Sequence, residues 1–310
     1  MKERETRMPH RMSSYHFLFV INFLSGSDRN KDALIKNIAE MFPEAHIFVI
    51  KSREDFDPVI QLSQEERFKY IIISGGDGTI HSFLSVIIEQ NKVLGILPSG
   101  SGNGLARSLN IPLSPIMALK RICNERIVRI DVGKLQVKGK DDGRCYYFSS
   151  AIGWGVDAFI AHRFEQQKIR GLLGYVLAGI KEFFQYRPIH VWVQIDDTIM
   201  IEEDFLIFSV MNIPQYGNNF YLVPSARLND GALNVVGLKK KSMVWYAYTL
   251  YQLLRRKEKY PMMYFRAKQV RIEIKGKKKG YYHIDGEPRV YVDSSVFEVE
   301  VMPGLLSVFC

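Results

Sequence analysis

Cysteine is scarce in this sequence, and no spacing gives it a metal or disulfide role. The 310 residues include three cysteines, Cys123, Cys145 and Cys310, with no C-x-x-C pair. They also lack the histidine partners of a zinc site. An odd number of widely spaced thiols is typical of a reducing compartment and argues against a disulfide framework.

Long hydrophobic runs are missing as well. The most apolar helix-like stretch, Gly171 to Ile180, is flanked by Arg170 and Lys181. It is about half the length of a bilayer span, which needs roughly 20 residues. The short run Phe17 to Ile21 does not make the charged N-terminus a signal peptide. We therefore expect a cytoplasmic protein.

Acidic residues are sparse between Lys239 and Lys279, a stretch called here the basic segment. The chain has a net charge of +9, and within this segment only Glu258 and Glu273 are acidic. One interpretation is a solvated face that keeps the protein soluble. The other is a surface for anionic lipid headgroups, worth about 1 kcal/mol per basic residue. Nucleic acid is not expected as a partner, because no recognition motif accompanies the charge.

Hydrophobic periodicity divides the chain near Asp131. Before it, strand-like runs alternate with helical patterns, which predicts an α/β domain with a parallel sheet and ligands at the carboxyl ends of its strands. After it, many short β-rich runs predict an antiparallel β-sandwich, with helices near Gly171–Gln185 and Ser242–Arg256. We expect an N-terminal extension (1–14), a nucleotide-binding domain (15–131), a sandwich domain (132–302) and a C-terminal segment (303–310) that is a candidate to return to the first domain. The predicted sandwich strands are Val132–Val137, Cys145–Ile152, His190–Ile195, Phe205–Asn212, Leu233–Leu238, Val270–Ile274, Tyr281–Ile284 and Val296–Met302.

Two glycine-rich loops each follow an apolar strand and precede a helix. The first is Gly75-Gly76-Asp77-Gly78-Thr79, and the second is Ser99-Gly100-Ser101-Gly102-Asn103-Gly104. Glycine lets the backbone approach an anion, and a following helix presents N–H groups and a positive dipole end. The pair predicts a polyphosphate site, although neither loop is a Walker A or a complete G-x-G-x-x-G motif.

Three aspartates are candidates for chemistry. Asp77 beside phosphates would hold a cation or accept a proton, as in phosphoryl transfer, or would be an ordinary turn or N-cap residue. Asp285, in Asp285-Gly286-Glu287-Pro288, and Asp230, in Asn229-Asp230-Gly231, are also open to interpretation as plain turns.

In combination these motifs resemble the diacylglycerol kinase catalytic family, which groups bacterial lipid kinases with diacylglycerol, ceramide and sphingosine kinases. The motifs, in order, are Asn22-x-x-Ser25-Gly26, the first glycine loop, Pro98 to Arg107 and Asp285-Gly286-Glu287. The similarity runs from about Tyr15 to Phe309. It implies a phosphofructokinase- or NAD kinase-like first domain and a lipid-substrate role for the sandwich.

The resemblance also implies site residues. ATP would bind between the two domains, magnesium would be held structurally by Asp230 and nearby carbonyls, and Asp285 or Asp77 would be the general base, with Asp285 favoured. The basic phosphate contact would be Arg170. The full set of implied ATP contacts is Asn22, Ser25, Gly26, Gly75, Gly76, Asp77, Gly78, Thr79, Ser99, Gly100, Ser101, Gly102, Asn103, Arg170 and Glu287.

The expected function is an ATP- and magnesium-dependent kinase acting on a hydroxyl of diacylglycerol or a related long-chain lipid. It would be peripherally associated with a membrane, with a homodimer as one option. A sphingoid-base kinase is an alternative that His81 favours, but Ala161 stands where that branch has an amine-binding aspartate. A nicotinamide-nucleotide kinase would share the Gly-Gly-Asp-Gly loop but lacks the Gly-Ser-Gly-Asn segment. A non-catalytic ATP-binding membrane adaptor is the third alternative, because Ser82 replaces the family's usual glutamate.

Overall fold

The computed structural model describes residues 16–26, 31–139, 145–166, 186–217, 220–242, 244–245, 248, 251, 262–276, 279–292 and 295–310. The chain divides into two compact units. Unit 1 runs up to Ile130 and includes Gly304–Cys310, and unit 2 is Asp131–Pro303. The expected N-terminal extension, Arg170 and the expected helix Gly171–Gln185 lie outside the described residues, and the expected helix Ser242–Arg256 is described only in part.

Unit 1 is built on a parallel sheet with helices between its strands. In chain order its elements are β1 (Phe17–Asn22), α1 (Lys31–Met41), β2 (His46–Ile50), α2 (Phe56–Leu62), β3 (Tyr70–Gly75), α3 (Asp77–Glu89), β4 (Val93–Pro98), α4 (Gly104–Ser108) and α5 (Pro115–Ile122). The strand order is β2-β1-β3-β4, all parallel. Every residue of β1 is buried, which is typical of a parallel sheet covered on both faces.

Unit 2 contains two antiparallel sheets. One has the order β18 (Val296–Phe309), β15 (Gln269–Lys275), β8 (Ile189–Ile195) and β9 (Ile199–Phe205), with β5 (Ile127–Lys138) and β6 (Cys145–Phe148) alongside. The second has the order β14 (Met263–Ala267), β13 (Leu233–Leu238), β10 (Ile207–Met211), β7 (Ala151–Gly155), β16 (Lys279–Ile284) and β17 (Glu287–Val292). The remaining elements are α6 (Val156–Gln166) and a small hairpin of β11 (Gln215–Gly217) and β12 (Phe220–Tyr221).

The sandwich core of unit 2 forms from alternating side chains. In β8 every second residue is buried, so one face of the strand turns inward. Trp154 of β7 packs against Phe208 of β10 and Phe297 of β18, with ring centroids 6.0 and 5.0 Å away. The predicted fold class, a parallel α/β part followed by an antiparallel sandwich, is confirmed.

Two features shared by the units concern β5 and β18. β5 begins in unit 1 and continues into unit 2. β18 pairs antiparallel with β15 through Val296 to Glu300, and its later residues Ser307 and Val308 pair parallel with β4 in unit 1. The prediction of a strand ending at Met302 was therefore too short.

Several predicted element boundaries were wrong, for local reasons. The predicted strand Cys145–Ile152 is two strands, because the backbone N–H groups of Ser149 and Ser150 donate to the Asp285 carboxylate. The predicted strand Phe205–Asn212 is interrupted at Leu206, between β9 and β10.

Helix α3 also starts earlier than the sequence indicated. Gly76 is its N-cap, so Asp77, Gly78 and Thr79 form its first turn instead of a loop. The phosphate-binding candidates of the first glycine motif are thus the helix N-terminus itself. Among the described residues, none of the helices has the length and apolar content needed to cross a membrane.

Candidate functional site

Three loops of unit 1 meet at the carboxyl ends of β1, β3 and β4. Gly26 has φ +72°, and a Cβ added there would lie 2.0 Å from the carbonyl oxygen of Ser99. A Cβ added to Gly100 would lie 2.5 Å from the Cα of Gly76. Since real Cβ atoms do not approach other atoms so closely, any side chain here would force the loops apart. The glycines therefore let three stretches of backbone touch.

Asn22 and Thr79 connect the first loop to helix α3. The Asn22 side-chain amide donates to Thr79 Oγ1 at 2.8 Å, and its Oδ1 accepts the backbone N–H of Leu24 at 2.8 Å. Asn22 is buried, so losing either partner would leave a polar group unsatisfied. These bonds hold the end of β1 beside the first turn of α3.

Asp77 joins the two glycine loops. Its Oδ2 accepts the N–H of Gly104 at 2.9 Å, and its Oδ1 accepts the N–H of Leu105 at 3.3 Å. Gly104 and Leu105 are the first residues of α4. Asp77 lies in α3, whose N-cap is Gly76, but its carboxylate caps the N-terminus of α4. A Cβ on Gly102 would lie 3.0 Å from Asp77 Oδ2, so the second loop closes directly over this carboxylate.

Asn103 closes the second loop on itself. It has φ +51°, its Oδ1 accepts the N–H of Gly100 at 3.0 Å, and its Nδ2 donates to the Gly100 carbonyl at 2.8 Å. The Nε of Arg107 donates to the Gly102 carbonyl at 3.0 Å. With these bonds the loop keeps one shape while its glycines leave the backbone exposed to a ligand.

Lys31 is a residue of this region that the sequence analysis missed. It begins α1, is 3% exposed, and its Nζ donates to the Ser25 carbonyl at 2.6 Å. A lysine at a helix start carries no distinctive signal in sequence. Its position gives the Ser25-Gly26 loop a buried positive group.

In unit 2, Asp285 occupies a tight turn between β16 and β17. Asp285 and Gly286 have φ +52° and +89°, and Ile284 pairs with Glu287 across the turn. Positive φ at both central residues defines a type I′ turn, the geometry that suits a two-residue hairpin. The sequence alternative of a plain turn is therefore correct for the backbone, and it leaves open the role of the carboxylate.

The Asp285 carboxylate lies in a nest of backbone N–H groups. Its Oδ1 accepts from Ser150 at 2.7 Å and Ala151 at 3.1 Å, and its Oδ2 accepts from Ser149 at 3.0 Å. The Ser149 hydroxyl is 3.5 Å from the same Oδ2, and Asp285 is 9% exposed. Successive N–H groups of this kind form an anion-binding concavity, so the carboxylate has a fixed orientation.

A buried imidazole next to this turn was also missed. His283 Nε2 is 3.1 Å from Asp157 Oδ2, and the N–H of Gly286 donates to His283 Nδ1 at 3.4 Å. Asp157 lies in the first turn of α6. The two residues are far apart in sequence, and only the pairing of β16 with β7 brings them together.

Tyrosines and phenylalanines pack around α6. Phe159 lies 5.3 Å from Tyr186 and 5.8 Å from Tyr281, measured between ring centroids. Burial raises the pKa of Tyr186, with Tyr291 adding to the effect, and burial raises the pKa of Tyr291 to about 12. Both phenols therefore remain neutral at physiological pH. Phe159 is therefore packed among aromatic side chains of unit 2.

The other predicted site residues are scattered. Glu287 is exposed at the start of β17. Asp230 Oδ2 pairs with Arg266 at 2.6 Å, and its Oδ1 accepts the N–H of Ala232 at 3.3 Å. The adjacent Gly231 N–H donates to Asp131 Oδ2 at 2.7 Å. Within the described part of the chain no three His, Cys, Asp or Glu side chains are grouped to hold a metal.

Comparison with protein families identifies both parts of the chain. Residues 16–135 match the profile of the diacylglycerol kinase catalytic domain. Residues 150–310 match the YegS C-terminal NAD kinase beta sandwich-like domain. The second match alone includes more than half of the chain, and together they cover most of it.

Individual relatives agree with these profiles. A diacylglycerol kinase of Bacillus subtilis (strain 168) is 27% identical over 225 residues, 71% of this chain and 71% of its own length. One of Mycobacterium tuberculosis (strain H37Rv) is 28% identical over 167 residues, 53% of each chain, so the match spans about half of that relative.

Solved structures share the fold. A Bacillus anthracis protein described as a diacylglycerol kinase aligns with TM-score 0.69 and 19% identity, over 95% of this chain and 96% of its own. A second B. anthracis structure, provisionally given the same description, aligns with TM-score 0.76 and 22% identity over 95% of each chain. The chain belongs to the diacylglycerol kinase catalytic family of lipid kinases, with a YegS-type C-terminal sandwich.

Proposed function

We propose that this protein is an ATP-dependent lipid kinase that transfers the γ-phosphoryl group to a hydroxyl of diacylglycerol or a related long-chain lipid. Family membership supports a lipid kinase. The observation that carries the nucleotide part is the backbone contact between Gly76 and Gly100, with Gly26 against Ser99. Three loops in contact around a helix N-terminus suit a chain of phosphates, because each loop offers N–H groups to anionic oxygens.

Unit 1 would supply most of the nucleotide contacts. The main chain of Gly75–Thr79 and Ser99–Asn103 would bind phosphate oxygens, and Asn22, Ser25 and Gly26 would complete the site. Lys31 would offset phosphate charge near the Ser25-Gly26 loop. Glu287 and Arg170 stay proposed contacts from unit 2.

Asp77 and Asp230 both offer carboxylate oxygens to magnesium, but Asp77 is the more suitable ligand. Magnesium prefers oxygen ligands and retains several waters, so one carboxylate can suffice. Asp77 stands beside the proposed phosphate loops, whereas Asp230 would have to exchange its Arg266 partner for the metal. When bound beside phosphates, magnesium would neutralise charge that develops during phosphoryl transfer.

Asp285 is our proposed general base. It would accept the proton of the lipid hydroxyl as that oxygen bonds to the γ-phosphorus and the bond to the leaving ADP oxygen breaks. Its fixed orientation suits such a role, since a base must be held within hydrogen-bonding reach of its proton. Asp77 is the alternative base, although its contacts with α4 also suit a role in holding the two phosphate loops together.

The decisive assay follows labelled γ-phosphate from ATP into vesicles that contain diacylglycerol. Incorporation into diacylglycerol is the expected result. Parallel reactions with sphingosine and with NAD test the sphingoid-base and nicotinamide-nucleotide alternatives. ATP binding without transfer to any acceptor would favour the adaptor, which the Ser82 substitution keeps as a second candidate.

Peripheral membrane association is a further part of the proposal. Val244 and Tyr248, which are helical and lie one turn apart, are 79% and 54% exposed next to Lys239–Lys241. Exposed apolar side chains beside lysines suit an anionic bilayer surface. Pelleting with anionic but not neutral vesicles, weakened by salt and by Tyr248→Ser, would support it. Met200→Ser, which removes a 68% exposed apolar side chain from β9, is the matched control.

A further inference from the structure

We propose that His283 and Asp157 form a positioning pair that aligns the Asp285 turn through helix α6. This inference rests on the proposed catalytic role of Asp285. The pair itself contacts neither lipid nor nucleotide in the proposal. It acts by linking the backbone of the turn to the first turn of a helix, so that the carboxylate keeps its direction.

The direction of the Asp285 carboxylate depends on the shape of the turn. Asp285 has φ +52°, in the left-handed region that Asp adopts more readily than most non-glycine residues. Its carboxylate can meet the N–H groups of Ser149, Ser150 and Ala151 only while this backbone shape is kept. A small rotation of the turn would therefore redirect the carboxylate.

The hydrogen bonds assign the imidazole its tautomer. The Gly286 N–H can only donate, so His283 Nδ1 must accept, and the ring proton is then on Nε2. Nε2 in turn donates to Asp157 Oδ2. A neutral imidazole thus bridges from the turn's second residue to α6. This is the arrangement by which a carboxylate commonly fixes the orientation of a histidine ring.

The neighbouring strand leaves room for the pair. Gly153 of β7 is paired in register with His283. A Cβ on Gly153 would lie 2.5 Å from His283 Nε2 and 2.8 Å from Asp157 Oδ2. The same strand donates the Ala151 N–H to Asp285. One strand therefore both holds the carboxylate and keeps open the space that the imidazole occupies.

The contact between His283 of β16 and Asp157 of α6 is buried. His283 is 7% exposed, and a buried polar pair of this kind is specific because unsatisfied partners are costly. A second contact joins α6 to β16, the strand of His283, since the His162 ring stacks on Tyr281 with the ring centroids 4.2 Å apart. The His162 ring lies against Tyr281 in β16, which makes it a matched control for the loss of an imidazole near this hairpin.

The test combines kinetics with a measurement that does not need activity. In Asp157→Ala and in His283→Phe we expect kcat for lipid phosphorylation to fall about 10- to 100-fold, because a misaligned group costs this much, with ATP affinity unchanged. The double variant should lose no more than either single variant, since both remove one link. Asp157→Asn keeps an acceptor for Nε2–H and should retain most of the rate. His162→Phe should retain it as well.

Hydrogen exchange of the Ser149, Ser150 and Ala151 amides reports on the turn directly. We expect faster exchange in Asp157→Ala and His283→Phe, and wild-type exchange in His162→Phe and Asp157→Asn. Unchanged exchange in a folded Asp157→Ala would overturn the positioning role, whatever the kinetics. Should the wild-type protein phosphorylate no lipid while the exchange pattern appears as expected, the proposed function fails and the structural link stands. Additive losses in the double variant would also contradict the pair.

Discussion

The glycine loops of unit 1 and the Asp285 turn of unit 2 hold an aspartate in the same way but are built differently. Asp77 and Asp285 both receive backbone N–H groups from a distant segment. In unit 1 that segment is a glycine motif, where the absence of side chains creates the contact. In unit 2 that segment is Ser149–Ala151, which contains no glycine, and the turn itself contacts the His283 side chain. The first arrangement suits a ligand that the main chain binds, and the second suits a carboxylate that must keep one direction.

A substitution at Gly26 would break this comparison on the unit 1 side. Gly26→Ala places a methyl group against the Ser99 carbonyl at a positive φ. Overpacking of this kind costs about 1–3 kcal/mol, so we expect ATP affinity measured by calorimetry to fall between about fivefold and about 100-fold. Gly276→Ala is the control, because Gly276 has φ +78° with nothing within 4 Å. Equal ATP affinities in the two variants would contradict a requirement for close loop contact at Gly26.

Replacing each aspartate by asparagine sharpens the comparison. Asp285→Asn should lower turnover about 100-fold or more while ATP still binds, as expected for a general base. Asp77→Asn should weaken ATP binding itself, because an amide in place of one oxygen faces the N–H of Gly104 or Leu105. Single-turnover rates and ATP titrations separate the two outcomes. If Asp77→Asn alone abolishes chemistry with binding intact, the assignment of the base is wrong.

The closed loop at Asn103 offers a graded test. Asn103→Ala removes both bonds to Gly100 and should lower the free energy of unfolding by about 1–3 kcal/mol. Asn103→Asp keeps the acceptor for the Gly100 N–H but not the donor, so its loss should be intermediate. Denaturant unfolding measures both. If Asn103→Asp lowers the free energy of unfolding as much as Asn103→Ala does, the bond from Nδ2 to the Gly100 carbonyl accounts for the whole effect.

Arg266→Ala should change stability little and cation binding more. The Arg266–Asp230 ion pair is partly exposed, and such pairs are worth about 0–1 kcal/mol. Without the guanidinium, Asp230 should bind magnesium more tightly in a titration followed by thermal shift. Asp230→Asn should abolish that gain. Identical magnesium responses in wild type and Arg266→Ala would argue against a cation at Asp230.

The smallest effect concerns an exposed histidine far from either aspartate in the sequence. The hydrogen bonds that His190 donates to Asp204 and, with a smaller effect, to Glu202 raise its pKa above the ordinary value of 6.5. Because the folded-state pKa is the higher one, this contribution to stability is present below pH 6.5 and is lost as the pH rises through the folded value. His190→Gln should therefore lower Tm slightly at pH 5.5 and not at pH 8.5. A Tm difference of the same size at both pH values would contradict the charge explanation.

Sequence alone predicted the parts whose cause is local. The glycine motifs and the alternation of strands and helices indicated the parallel sheet and the position of the glycine loops at the ends of its strands. Strand β9 escaped prediction because only its last residue, Phe205, is buried, so hydrophobic alternation is absent. The early start of α3 was missed because its cap is a glycine in extended conformation, without the usual side-chain signal.

The polar residues of unit 2 could not be predicted for a different reason. His283 looks like any strand residue until β16 is paired with β7, and Asp157 looks like an ordinary residue at a helix start. The two residues come together only through the register of β16 on β7. The one sign of this contact in the sequence is Gly153, whose missing side chain leaves space for the imidazole. The contact of Lys31 with the Ser25-Gly26 loop was unpredictable for the same reason, because it depends on the Ser25 carbonyl facing the Lys31 ammonium group.

The late pairing of β18 with β4 has a consequence for biosynthesis. Ser307 and Val308 pair with β4, and the four parallel strands β1 to β4 are all synthesised before residue 99. A nascent chain paused within unit 2 would present β4 as an open edge of the kind that recruits other strands. Chaperone binding or aggregation during synthesis should therefore depend on how quickly translation reaches those last residues.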